Sequence, residues 1–216
     1  MDAISGNMAD EAYEAMSKAK RQRDSGNIKG AVATLESYLE KDPHNTKPRL
    51  LLAEILVYGS DSRSYGMMQL DIILDLEPDN HDARKALVTV LKDKRKNVEE
   101  CDKHYRYLVE HCPEDADLMN SYAIFCKLQL VDFDRAEEFY LRAIALEPRN
   151  SDCRMNYAYL LAGDMDRPED AKEQLEAILS YDPSDTKAQK ALIQLMERRF
   201  NPDGTPKKKR RFFRRR

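Results

Sequence analysis

Tryptophan is absent from this chain of 216 residues, and glycine occurs only seven times. So little glycine speaks against an all-β fold, which needs many tight turns. No apolar run approaches the ~18 residues of a membrane span. The opening Met1-Asp2-Ala3-Ile4 has neither a basic start nor an apolar core, so no secretory signal is expected. Four cysteines without close pairing make no disulfide framework, and a reducing, cytoplasmic setting is expected. Catalytic signatures are missing too. There is no Gly-rich phosphate loop, no nucleophile elbow and no His-Glu-x-x-His, so neither an enzyme nor a cofactor is expected. Cys101, His104, His111 and Cys112 contain zinc-type donors, but 101 and 104 share a helix face that 111 and 112 lie well beyond, so no metal is expected.

What the chain does have is charge. Charged residues make up 35% of it, above the ~25% of ordinary globular domains. The net charge of -3 conceals a division. Lys207 to Arg216 carry eight cations and no acid, which leaves 28 basic and 39 acidic residues upstream, a net of -11. An acidic body ends in a strongly basic tail.

The prolines expose a repeat. Pro43, Pro78, Pro113, Pro148 and Pro183 are each 35 residues apart. Proline cannot continue a helix interior, so each marks where an amphipathic helix has stopped. Twelve residues before each stands a small residue: Ala31, Gly66, Cys101, Ala136 and Ala171. Four residues after that comes a large one: Leu35, Leu70, Tyr105, Tyr140 and Leu175. A small and a large residue one helical turn apart let a neighbouring helix approach and then fill the gap beyond it. A second amphipathic stretch precedes each of these, with Ala19, Ala53, Val88, Ala123 and Ala158 at one phase. The pattern predicts helices over 9–25, 28–41, 46–59, 64–76, 81–94, 97–111, 116–129, 133–146, 151–163, 168–180 and 185–200.

Each unit is a helix, a turn, a second helix and a Pro-marked turn, which resembles the tetratricopeptide repeat. Unit four carries the family pattern most fully, with Ala123, Ala136, Tyr140, Ala143 and Pro148 in its small, small, aromatic, small and proline places. Unit three departs most, with Val88 and Leu108 where small residues are expected. Units two to five carry one extra residue in the middle turn. The resemblance covers about 9–200. It implies an all-α, right-handed superhelical solenoid of five helix-turn-helix repeats over 9–183, closed by a capping helix over 184–200. A flexible 1–8 precedes it, and a disordered linker and basic tail, 201–216, follow.

The resemblance also implies a concave groove lined by the first helix of each unit. Carried over, the lining is Tyr13, Met16, Lys20 and Arg23; Lys47, Leu50, Glu54 and Val57; Asp82, Lys85, Thr89 and Lys92. It continues with Asp117, Asn120, Ile124 and Lys127; Asp152, Met155, Tyr159 and Ala162; and, from the cap, Lys187, Lys190, Gln194 and Glu197. These hold eight bases and five acids, a net of +3 on an acidic body. Such a face suits an extended or helical peptide of acidic character, with Leu50, Val57, Ile124, Met155 and Tyr159 available for side-chain pockets. Some family members, acting as co-chaperones, clamp the C-terminal carboxylate of heat-shock chaperones. Of that clamp only Asn156 and Lys187 have counterparts here, so the standard form is not expected.

The tail, Lys207-Lys208-Lys209-Arg210-Arg211-Phe212-Phe213-Arg214-Arg215-Arg216, cannot fold alone, because like charges repel and only two residues are apolar. It suits a polyanion: RNA, a ribosome or an anionic membrane. The expectation is a non-enzymatic interaction scaffold, a monomer or weak homo-oligomer, whose groove selects a protein and whose tail docks it. The alternative is a nucleic-acid-binding protein in which groove lysines and tail act together.

Overall fold

The computed structural model describes residues 2–59, 62–92 and 97–207, with side chains from residue 8 onward. Eleven α-helices follow one another among the described residues, with no β-strand. They are α1 (Asp2–Asp24), α2 (Ile28–Leu39), α3 (Thr46–Gly59), α4 (Arg63–Leu76), α5 (His81–Leu91), α6 (Val98–His111), α7 (Ala116–Phe125), α8 (Phe133–Leu146), α9 (Ser151–Tyr159), α10 (Pro168–Tyr181) and α11 (Thr186–Arg199). The chain divides into two compact bodies, Met1–Leu108 and Val109–Arg216. The first helix starts at Asp2, upstream of the residue 9 expected from the sequence.

The 35-residue period is legible atom by atom. Across each proline the backbone closes the same turn, with Asn45, Asn80, Asp115, Asn150 and Asp185 donating their N–H to the carbonyl three residues back, at 3.0–3.3 Å. Proline at the second position of such a turn is pre-set for it. The same Asn80, Asp115, Asn150 and Asp185 then cap the next helix, each side-chain oxygen accepting from the N–H three residues on. An Asn or Asp two places after the proline thus closes the turn and, after the last four of these prolines, also starts the next helix.

The small-and-large pairs form the core. Ala31, Cys101, Ala136 and Ala171 are fully buried, as are Leu35, Leu70 and, within a few per cent, Tyr105, Tyr140 and Leu175. Gly66 occupies the small position of α4, where an added Cβ would lie 2.8 Å from the Val57 side chain and 3.1 Å from the Ala53 carbonyl.

The extra residue of the 35-residue unit has a definite place in the second body. It is absorbed by a wider π-helical turn at the end of α7 (Cys126–Leu130) and of α9 (Leu160–Asp164). A residue with positive φ follows each, Val131 at 56° directly and Asp166 at 57° one residue later, again 35 positions apart. Asp tolerates that region, but a β-branched valine is strained in it. Val131→Gly is expected to stabilise the protein by about 1 kcal/mol, read as a raised thermal midpoint. A lowered midpoint would mean the exposed valine makes a contact worth more than its strain.

A polar latch joins the helices of a pair. Arg49, Arg84 and Arg154 stand six residues after their prolines and donate to the carbonyls of Pro43, Pro78 and Pro148. Each also reaches a residue 20 positions on, namely Gln69, His104 and Gln174. Gln189 repeats the proline contact on α11 at 2.7 Å. His104 Nδ1 lies 2.9 Å from the Arg84 guanidinium. Burial first, then Arg84 and Lys103, push this imidazole down to about 4. An unfolded histidine titrates near 6.5. Between those values the unfolded chain takes up a proton that the folded one refuses. The stability is therefore present above pH ~6.5 and is lost as pH falls toward 4. Because the ring is only half buried, about 1 kcal/mol is expected between pH 7 and 5. His104→Gln, which copies the latch of Arg49 and Arg154, should flatten that part of the stability-against-pH curve. An unchanged slope would contradict the assignment.

The C-terminal segment 201–207, expected to be disordered, is a closed loop. Asn201 N–H donates to Thr205 O at 2.7 Å, Asp203 accepts from the Thr205 N–H at 3.0 Å, and Gly204 supplies φ +82°. Lys207 N–H returns to Arg199 O at 2.6 Å, and Phe200 is buried. The remaining tail residues, Lys208 to Arg216, lie outside the described residues.

Candidate peptide-binding concavity

In the first body, consecutive first helices bring groove positions together electrostatically. Glu54 on α3 is raised above the usual carboxylate range by its burial, with Asp82 of α5 adding to the rise and Arg23 and Lys20 of α1 opposing it. Lys47 is exposed on the first turn of α3, and Leu50, Lys85 and Lys92 are half-buried. Val57 does not face outward. It is 4% exposed and packs over Gly66, while its neighbour Tyr58 is 63% exposed. Absence of a side chain at Gly66 opens the gap that Val57 fills, so this position offers no ligand pocket.

The second body holds the larger assembly. On α7 and its π turn, Asn120, Ile124 and Lys127 are half-buried. Asn156 of α9 donates to Asn120 Oδ1 at 3.4 Å, so these two amides face one another across neighbouring first helices. Lys127 is paired with Asp164 at 3.3 Å, and its charge is therefore largely neutralised. Met155 is 8% exposed, more buried than a protruding ligand contact would be, yet it still contributes to the wall of a concavity.

That concavity, of about 600 Å3, is open and lies between α9 and α11. Asp152, Met155, Asn156 and Tyr159 line it from α9, and Lys187, Lys190, Ala191 and Gln194 from α11. Six of these are the places carried over from the sequence for the last unit and the cap. Tyr159 presents an exposed ring, and both lysines are exposed and have no ion pair among the described residues. A fixed amide, an aromatic face and two solvated cations can bind a backbone, an apolar side chain and a carboxylate respectively.

The sequence reading missed what lies beside it. A hollow of about 290 Å3 shares Tyr159, Ala191 and Gln194 with the concavity. Ala158, Ala162 and Gly163 at the end of α9 complete much of its wall. The run of small residues there was the available signal.

Among the described residues no group of three or more His, Cys, Asp or Glu could hold a metal ion. No disulfide joins Cys101, Cys112, Cys126 or Cys153, and burial pushes the Cys153 thiol up to about 12. No helix among the described residues is long and apolar enough to cross a membrane.

Residues 128–196 match the tetratricopeptide repeat family model. No curated protein matches the chain. Among solved structures, MamA 41-end from Desulfovibrio magneticus RS-1 aligns with 16% identity over 83% of this chain and 99% of that one, with a TM-score of 0.72. A tetratricopeptide repeat protein from Parabacteroides merdae ATCC 43184 aligns with 15% identity over 87% and 73%, with a TM-score of 0.73. YrrB, a TPR protein with an unusual peptide-binding site, aligns with 19% identity over 88% and 95%, with a TM-score of 0.66. At these identities the likeness establishes the fold alone. Residues 128–196 thus carry the tetratricopeptide repeat signature, and the helical-repeat fold extends beyond them.

Proposed function

We propose that the protein is a non-enzymatic scaffold whose first-helix face binds an extended or helical peptide of acidic character. The observation that carries this reading is the concavity between α9 and α11, where Asp152, Met155 and Tyr159 converge with Lys187, Lys190 and Gln194. Two unpaired lysines beside an exposed tyrosine suit a partner that offers carboxylates and apolar side chains. The basic tail, launched from the loop that Lys207 closes, docks the assembly to a polyanion such as RNA, a ribosome or an anionic membrane. Four cysteines outside any disulfide fit a reducing, cytoplasmic setting.

Affinity capture from lysate tests this, with the full chain and a chain ending at residue 206, each with and without nuclease. The partner is expected to survive truncation and nuclease, and Lys187→Glu with Lys190→Glu is expected to lower its recovery about tenfold. Recovery that collapses on truncation and nuclease, with no effect of the lysine pair, would favour the nucleic-acid-binding reading. That second reading draws on eight cations within ten residues at the C-terminus.

A further inference from the structure

We propose that the hollow between the end of α9 and α11 is a specificity pocket that takes one bulky apolar side chain from an acidic peptide segment. The carboxylates of that segment would lie along Lys187 and Lys190. This rests on the peptide-binding reading and adds to it the chemistry of the partner.

The hollow is walled by Ala158, Ala162 and Gly163 on the α9 side and by Ala191 and Leu195 of α11. This apolar part of the wall, beside which Gln194, Arg198 and Arg199 also line the hollow, disfavours polar ligand groups, which would lose their hydrogen bonds to water there. At about 290 Å3 it stands at the low end of ligand pockets. It has room for one large side chain and none for a helix, whose diameter is ~10–12 Å. The hollow is formed before any ligand arrives. Arg199 of α11 donates to the Ala162 carbonyl and to Asp166, tying the π turn of α9 to the last helix. The space at Gly163 is open, since a Cβ added there would meet nothing within 4 Å.

Charge selects what surrounds the apolar side chain. Lys187 and Lys190 stand on the shared concavity and Arg198 on the hollow itself. None of the three has an ion pair among the described residues, whereas Asp152 is the lone acid of the two linings. A segment with carboxylates flanking its apolar residue is complementary to this frame. The chain's own tail is not, because its cations would meet those of α11.

The test is selection of a displayed random peptide library on the full-length protein. Enriched peptides are then made synthetically and titrated by fluorescence anisotropy. Each is expected to carry one bulky apolar residue near Asp or Glu. Replacing that residue with Ala should weaken binding to the wild type about tenfold or more. The same replacement should have no effect on Ala162→Phe or Gly163→Phe, which fill the hollow from two different positions. If the apolar residue proves dispensable while Lys187→Glu with Lys190→Glu still abolishes binding, the pocket is wrong and the peptide-binding reading stands. If nothing is enriched, or the lysine pair is without effect, both fail. If binding appears only when 208–216 are deleted, the occupant is Phe212 or Phe213 of the chain itself and the proposal is overturned.

Discussion

Arg49→Met is expected to destabilise the protein by about 2–3 kcal/mol, and adding Gln69→Phe is expected to recover at least half of that loss. Arg49 is 8% exposed, and its guanidinium is held by the Gln69 side chain and the Pro43 carbonyl rather than by a carboxylate. Its Nε has no hydrogen-bond partner among the described residues. Removing the arginine alone leaves a buried amide and a carbonyl unsatisfied, at about 1–3 kcal/mol each. Replacing both partners with apolar groups removes the need for them. The protein supplies its own precedent. At the equivalent places of the next-but-one unit stand Met119, fully buried, and Phe139, with its ring 4.6 Å from that of Tyr122. Chemical denaturation of the wild type, both single variants and the double variant measures the coupling. A double variant as unstable as the sum of the singles would show that the latch is not interchangeable with an apolar pair.

Ala136→Leu is expected to cost about 1–3 kcal/mol, through overpacking of α8 against α7. Ala136 has no exposed surface, and Tyr140 one turn on is 1% exposed. The equivalent Gly66 shows how little room this position has, with the Val57 side chain and the Ala53 carbonyl within 3.1 Å of where a Cβ would stand. For a chain of this size the thermal midpoint should drop by about 2–4 °C per kcal/mol. An unshifted midpoint would mean that the small position is not where α7 and α8 meet.

Positions repeated in every unit were the legible part of this fold. Proline at a 35-residue interval gave the turns, and small and large residues at fixed distances gave the core. The same interval governed features that the pattern of apolar residues does not encode. The latch joins Arg84 to the Pro78 carbonyl, a backbone group that no sequence pattern displays. The extra residue was expected in the middle turn, whereas at the ends of α7 and α9 it widens the last helical turn instead. Nothing in the side chains of Cys126–Leu130 announces a π turn, because the change lies in which carbonyl each N–H meets. Val57 was misplaced for a simpler reason. A repeat position fixes a direction only while its neighbours stay average, and Gly66 opposite draws this valine inward. Asp152, Tyr159, Lys187, Lys190 and Gln194 stand where the repeat register put them, lining one concavity, because they lie on regular helices. Lys127 was read without Asp164, which approaches it from the π turn of the following unit.

Peptide binding on the face shared by α9 and α11 has a direct signature in solution. Amide chemical-shift mapping of the full-length protein during titration with a captured or selected peptide tests it most directly. Saturable shifts centred on Met155, Asn156, Tyr159, Lys187 and Lys190 are expected. Shifts confined to the tail beyond Lys207, or to the exposed side of α8 around Leu141, would contradict it.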